Sequence, residues 1–293
     1  MIKNRLLVLG IIIIIFIIIM AITIIYAYYY APISQKAITT SMHKFQVKKI
    51  YPTKKGGREW FLNMNDPTDD KIYDPGSKIT RQYDGSWQIE GRDKIGYKED
   101  QVRMNVNTPA REPQWKNVEI TGYAKVVSAS SPHDALTWYA RGGRHSDSIP
   151  CQGTSLKGSI RVDGTVFWQK EIWHTGGYTD EMAKATATTN SLIGRWIGWK
   201  VVMYNINNDM AVKMESYLDD GNNNEWKKVT ELVDDGGWYA KSSDREFYSV
   251  ACGRPKDYIV TNAGPVVAFR SDNMKWDFTD LSVREINASI PSK

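Results

Sequence analysis

Between Trp138 and His174 the chain gathers Arg141, Arg144, His145, Cys151, Lys170, Glu171 and His174, a set able to hold an anion or to move a proton. Only four histidines occur in the 293 residues, and two of them lie here. Arg141 runs into Gly142-Gly143, a flexible turn that would let Arg144 and His145 fold over the end of a sheet. The two cysteines, Cys151 and Cys252, both sit in turn-like contexts. On the outer side of a membrane such a pair most often forms one disulfide. Closing a loop of about 100 residues would contribute on the order of 4.7 kcal/mol in the chain-entropy model. No CxxC-type spacing supports a zinc site.

These groups need strands to position them, and the hydropathy pattern supplies strands. Val118, Ile120, Gly122, Ala124 and Val126 alternate with Glu119, Thr121, Tyr123 and Lys125, the two-residue period of a half-buried strand. Similar runs predict strands over Trp60 to Met64, Ser86 to Glu90, Gln101 to Asn107, Leu136 to Arg141, Lys157 to Val162 and Val166 to Trp173. Others fall over Trp196 to Tyr204, Ala211 to Leu218, Trp226 to Leu232, Val266 to Phe269 and Trp276 to Val283. Turn signals such as Asp84-Gly85, Asp163-Gly164, Asn207-Asn208 and Asp220-Gly221 lie between them. One short helix is expected within Thr179 to Thr189. The fold class is therefore all-β, an antiparallel jelly roll or β-sandwich.

Strand parity divides the candidates. Asp163-Gly164 makes its flanking strands neighbours, with Trp168, Lys170, Ile172 and His174 on one face and Phe167, Gln169, Glu171 and Trp173 on the other. Thr137, Tyr139 and Arg141 share a face of the earlier strand. The expected groove set is Arg141, Arg144, His145, Lys170 and His174, with Arg270 as a further ligand-binding cation.

Ahead of the strands, Leu6 to Ala27 is an uncharged run of 22 mostly aliphatic residues. At 1.5 Å per residue it measures about 33 Å as a helix, enough to span a bilayer. Its length and its flanks point to an uncleaved anchor. Lys3 and Arg5 precede it and Lys36 follows, which places residues 1–5 in the cytoplasm and the rest outside. Residues 28–57 form a polar, basic stalk, and 58–293 a single domain. The formal charge of +5 is too mild to argue for nucleic acid.

The runs GRWIGWKVVMYN (194–205), AVKMESYLDD (211–220), NEWKKVTELVDD (224–235), GPVVAFRSDN (264–273) and WDFTDLSVREI (276–286) resemble the closing half of concanavalin A-like lectin and glucanase jelly rolls. Within that superfamily the chain is most similar to alginate-lyase-like polysaccharide lyases. Val102-Arg103-Met104-Asn105-Val106 keeps one arginine of their Arg-x-Glu-Leu-Arg strand. Glu171-Ile172-Trp173-His174 is similar to their Gln-Ile-His strand with the histidine one residue late. Trp199 to Asn205 resembles their tyrosine-rich strand by letters, although strand order assigns that place to Val266 to Arg270, where no tyrosine stands. The resemblance implies β-elimination on a uronate, which needs a cation on the carboxylate, a base for the C5 proton and an acid for the leaving oxygen. Arg141 or Arg144 would neutralise, His174 or His145 would be the base and Tyr204 the acid. The paired carboxylates of a retaining glycosidase are absent from any one strand face.

Asp220, Asn222 and Asn224 alternate as hard oxygen donors and could bind calcium, or belong to a polar hairpin loop. Asn65 to Asp70 offers a second acidic stretch. No cofactor is required. Asn287-Ala288-Ser289 is a glycosylation sequon. The sequence thus leads to a membrane-anchored, extracytoplasmic protein that binds an anionic or surface polysaccharide. The alternatives are a polysaccharide lyase and a structural envelope protein without a ligand.

Overall fold

The computed structural model describes Met20 and residues 42–91, 101–143, 152–174, 176–241 and 254–289. The anchor run 6–27, apart from Met20, and Arg144, His145, Cys151 and Cys252 lie outside the described residues. Among the described residues no helix is long and apolar enough to cross a membrane. The chain divides into two units, Met1–Gln46 and Val47–Lys293. In the first, a tight turn donates Gln46 N to His43 O at 2.9 Å.

Among its described residues the second unit is a sandwich of fifteen strands. They are β1 (Glu59–Phe61), β2 (Tyr73–Asp74), β3 (Ile79–Arg81), β4 (Trp87–Glu90), β5 (Gln101–Asn107), β6 (Val118–Ala129), β7 (Ala135–Gly142) and β8 (Ser155–Arg161). The rest are β9 (Thr165–Glu171), β10 (Met182–Thr186), β11 (Trp196–Ile206), β12 (Ala211–Asp219), β13 (Lys227–Asp234), β14 (Val266–Asp272) and β15 (Met274–Glu285). Sheet I has the order β13-β12-β11-β6-β15-β4-β3, with β1 also on β15. Sheet II has the order β10-β9-β8-β7-β14-β5-β2. All strand pairs are antiparallel. The all-β antiparallel expectation is met.

The reason lies in the apolar half of each strand. Trp138, Trp168 and Phe269 from sheet II meet Trp199, Val201, Trp276 and Phe278 from sheet I in one core, each with 0% exposure. Trp138 packs edge-on to Phe269 with centroids 5.0 Å apart. Gly158 lets the layers approach, since a Cβ there would stand 2.7 Å from Val201 Cγ2. The Asp163-Gly164 hairpin forms as expected, with Gly164 at φ 83° and Asp163 Oδ1 accepting from Thr165 N. Where a helix was expected within Thr179 to Thr189, the chain instead forms β10 on the edge of sheet II. Its alternation of exposed and half-buried residues is strand-like, and Thr230 Oγ1 donates to Ala183 O from the facing edge.

One buried ion-pair set lies within sheet I and another spans the two sheets. On the outer side of sheet I, Glu119 sits 3.2 Å from Lys200 Nζ and 2.8 Å from Arg284 Nη2. Residues 50–53 cover this set: Ile50 N and Tyr51 N donate to Glu119 Oε2, and Arg284 reaches Tyr51 O and Thr53 Oγ1. The segment from Val47 to Gly57, expected as stalk, therefore belongs to the packed unit. Within the sandwich, Lys170 Nζ lies 2.8 Å from Asp234 Oδ2, both side chains being fully buried, with Trp238 5.1 Å away under the ammonium.

Burial alone would raise the Glu119 carboxyl, but Arg284 and Lys200 outweigh it and hold it down from 4.5 to about 2. The folded form therefore binds this proton more weakly than the unfolded chain. The stabilisation is full above pH 4.5 and is lost as pH falls towards about 2. Glu119→Gln should lower unfolding free energy by about 3–5 kcal/mol by stranding two buried cations. It should also flatten the fall of Tm across that acid window, as read by calorimetry against pH. Lys170→Met should cost a similar ~3–5 kcal/mol in denaturant unfolding, because Asp234 is left buried and unpaired. The double variant with Asp234→Leu should recover most of the loss.

Candidate functional site

The outer face of sheet II carries the polar half of the strands whose other half is the tryptophan core. From β5 it presents Arg103 and Asn105, from β14 Arg270, from β7 Thr137 and Tyr139, from β8 Lys157 and Ser159, and from β9 Gln169 and Glu171. Register brings them into rows. Arg103 is directly opposite Arg270, which is opposite Thr137. Tyr139 is directly opposite Lys157, which is opposite Gln169, and Ser155 is opposite Glu171. A recess opens here, lined by Arg103, Tyr139, Lys157, Glu171 and Arg270 together with Gly142, Gly143 and Gly153.

Glu171 is the hub of the recess. Its Oε2 lies 2.6 Å from Lys157 Nζ and accepts from Ser155 Oγ, and its Oε1 lies 3.1 Å from His174 Nδ1. Tyr178 OH lies 3.3 Å from the same imidazole nitrogen, and the Tyr178 ring lies under Lys157 Nζ at 4.3 Å. Burial would raise the Glu171 carboxyl, but Lys157 and the hydrogen bonds from His174 and Tyr178 outweigh it and hold it well below the usual range. Burial lowers the Lys157 ammonium to about 8 against the opposing pull of Glu171. Tyr139 is raised by burial, with Arg103 and Arg270 pulling the other way. Arg270 Nη2 pairs with Asp272 at 2.8 Å. Arg103 Nη2 donates to Gln101, while its buried Nε has no hydrogen-bond partner among the described residues.

The candidates named from sequence separate on this map. Arg270 lines the recess, and His174 is connected to it through Glu171. Lys170 does not, because it shares parity with the buried Trp168 and points inward to Asp234. The expected face-sharing of Lys170 and His174 opposite Glu171 is thus reversed. The strand ends at Glu171 and the chain turns, with Ile172 N donating to Gly177 O and His174 N to Gln152 O, so alternation no longer applies. Arg141 is also drawn away. It stands at φ 62° beside a register shift between Val266 and Ala268, and its guanidinium donates to Val260 O at 2.5 Å and to Lys116 O at 3.1 Å. Tyr204 lies on the outer side of sheet I, 3.1 Å from Tyr51 OH, so it does not meet His174. Arg144 and His145 fall outside the described residues.

In the loop after β12, two of the three expected oxygen donors already have partners. Asp220 is engaged by Arg195 at 2.5 Å and Thr188 at 3.1 Å, Asn222 adopts φ 50°, and Asn224 Oδ1 accepts from Lys48 N and Trp226 Nε1. In the earlier stretch Asp66 caps the 3-10 turn Pro67–Asp69, and Asp70 accepts from Trp60 Nε1. Among the described residues no three His, Cys, Asp or Glu side chains converge as metal ligands. Sequence reasoning passed over Lys157, Tyr178 and the role of Glu171. Counting alternation outward from Trp168 would have placed Glu171 and, across the hairpin, Lys157.

No protein-family model matches the chain. No curated protein sequence matches it either. Among solved structures it is similar to a carbohydrate binding module from Bacillus subtilis, at 9% identity over 73% of this chain and 95% of that one, with a TM-score of 0.40. It is also similar to the alginate lyase Aly36B, at 12% identity over 70% and 83%, with a TM-score of 0.41. Peanut lectin aligns at 10% identity over 79% and 99%, with a TM-score of 0.40.

Proposed function

We propose that the outer face of sheet II binds an acidic polysaccharide, with uronate carboxylates as the groups recognised. The carrying observation is the direct cross-strand opposition of Arg103 and Arg270, with Lys157 on the neighbouring row. Like charges in that position cost about 0.2–1 kcal/mol relative to a neutral pair, a cost that an anion bridging them would reverse. Asp272 and Glu171 neutralise part of this charge, and the buried Arg103 Nε still lacks a partner among the described residues. Tyr139 beside these cations offers a ring face and a hydroxyl to a sugar. The second reading, a polysaccharide lyase, is favoured by one feature: Tyr139 and Lys157 stand in direct register beside the two arginines, a phenol and an amine flanking a carboxylate-binding site.

In this reading the run 6–27 anchors the protein in a membrane with the sandwich outside the cytoplasm, and Cys151 pairs with Cys252. The described flanks of the two cysteines support the pairing. His174 N donates to Gln152 O at 2.7 Å, while Arg254 Nη1 donates to Ile172 O at 2.8 Å, so both flanks meet within three residues of chain. Thiol titration of the denatured, unreduced protein should find no free thiol; two free thiols would contradict the pairing.

For the binding reading, full-length protein should be retarded in gels containing polyguluronate, polymannuronate or polyglucuronate and not in gels containing a neutral glucan. Arg103→Ala and Arg270→Ala should each weaken retention by roughly 10- to 100-fold, the worth of a charged hydrogen bond of about 1.5–3 kcal/mol. Unchanged retention in both variants would overturn the site assignment. Absence of retention in every polyuronate would leave a structural protein without a ligand on this face.

A further inference from the structure

Among the described residues three lysines are buried against a carboxylate: Lys157 with Glu171, Lys200 with Glu119 and Lys170 with Asp234. The third pair is built differently. Glu171 is also met by Ser155 and His174, and Glu119 by Arg284 and the amides of Ile50 and Tyr51. Such added donors favour the carboxylate form, which an amine does not attack. The hydrogen bond that Asp234 accepts comes from Lys170 Nζ, 2.8 Å from Oδ2, and its buried Oδ1 makes none among the described residues. The Gly236 amide exerts a weaker pull on the same carboxyl. Charge balance accounts for the two groups lying side by side, but with both side chains at 0% exposure an ion pair leaves two charges desolvated.

The backbones of the pair are fixed by different sheets. Lys170 N donates to Thr179 Oγ1 and Lys170 O accepts from Thr179 N, with Leu156 directly opposite on β8. Asp234 ends β13 directly opposite Val212 on β12. Trp238 lies 5.1 Å under the ammonium and is itself pinned by donating Nε1 to Asp180 O. An amine and a carboxyl 64 residues apart in sequence are thus held together in a dry site. Placement of this kind replaces a bimolecular encounter by an intramolecular one.

We propose that Lys170 and Asp234 condense to an intramolecular amide, a covalent tie between the two sheets that forms unaided in the folded chain. The ion pair described above is the state before condensation. The ammonium first passes one proton to Oδ2 across the existing hydrogen bond, giving a neutral amine and a carboxylic acid. The nitrogen lone pair then attacks Cγ, and the carbonyl pair moves onto Oδ1. As that pair returns, the Cγ–Oδ2 bond breaks and Oδ2 leaves as water, carrying the carboxyl proton and one proton from nitrogen. One proton stays on the amide nitrogen, so atoms and charge balance without a co-reactant. The product removes two buried charges from the sandwich and restrains the unfolded chain as a disulfide does.

The electrostatics fit this chemistry. Burial lowers the Lys170 ammonium against the opposing pull of Asp234 and Asp257. Burial raises the Asp234 carboxyl against the pull of Lys170 and the Gly236 amide, and Asp235 adds to the rise. Both partners move towards the neutral forms that react. Burial also opposes the charges of Glu119 and Glu171, but there the neighbouring cations prevail and hold both carboxyls down.

The test is the intact mass of full-length protein, kept folded and then denatured and reduced, with peptide mapping of the same sample. Most wild-type molecules should be lighter than their sequence by one water, and a protease digest should contain a branched peptide joining Lys170 to Asp234. Lys170→Arg keeps a cation for Asp234 but offers a guanidinium that stays protonated; it should show its full sequence mass and no branched peptide. Lys157→Arg and Lys200→Arg should still lose the water. Full sequence mass in most wild-type molecules after prolonged incubation in the folded state overturns the bond, whatever the variants do. A lost water that maps to an aspartyl succinimide, as at Asp235-Gly236, or a branched peptide at Lys157 or Lys200 in place of Lys170, overturns it equally.

Discussion

A β-strand can bury only every second residue, and in this protein the buried half of sheet II is committed to Trp138, Trp168, Phe269 and their aliphatic neighbours. That commitment decides where every polar side chain of the sheet can go. Arg103, Tyr139, Lys157, Glu171 and Arg270 alternate with core residues on five strands, so the packing that excludes water from the sandwich also gathers them on one outer face. A one-residue slip in any of these strands would bury a charge and expose a tryptophan or another core residue.

The same rule separates charges of the inner face from charges of the outer face. Lys170 and Lys157 are both lysines on adjacent strands, yet one points inward to Asp234 and the other outward to Glu171. Lys200 and Arg284 are taken up by Glu119 beneath the segment at Ile50 and Tyr51. Buried pairs of this kind are costly to break because the surviving partner stays desolvated. The recess on sheet II differs in holding two arginines directly opposite each other on neighbouring strands.

Much of the fold was legible in the chain because alternation and turn residues are local signals. Val118 to Val126 and the Asp163-Gly164 hairpin appear as expected. The site was less legible because its decisive events are not local. Arg141 leaves the outer face at a register shift imposed by β14, and His174 returns to Glu171 only because the chain turns after the strand ends. Asp234, the partner that draws Lys170 inward, lies 64 residues away in sequence. β10 looked helical because Met182, Ala183, Lys184 and Ala185 are good helix formers; what makes it a strand is the edge of β9 beside it.

The account stands on carboxylate recognition by the outer face of sheet II, and the most direct measurement is calorimetric titration of the full-length protein with a polyuronate and with the same polymer after reduction of its carboxyl groups to alcohols. Binding to the native polymer that weakens with salt, and at least a 10-fold loss on reduction, is the predicted result for a charged contact. Equal affinity for the two polymers would contradict it.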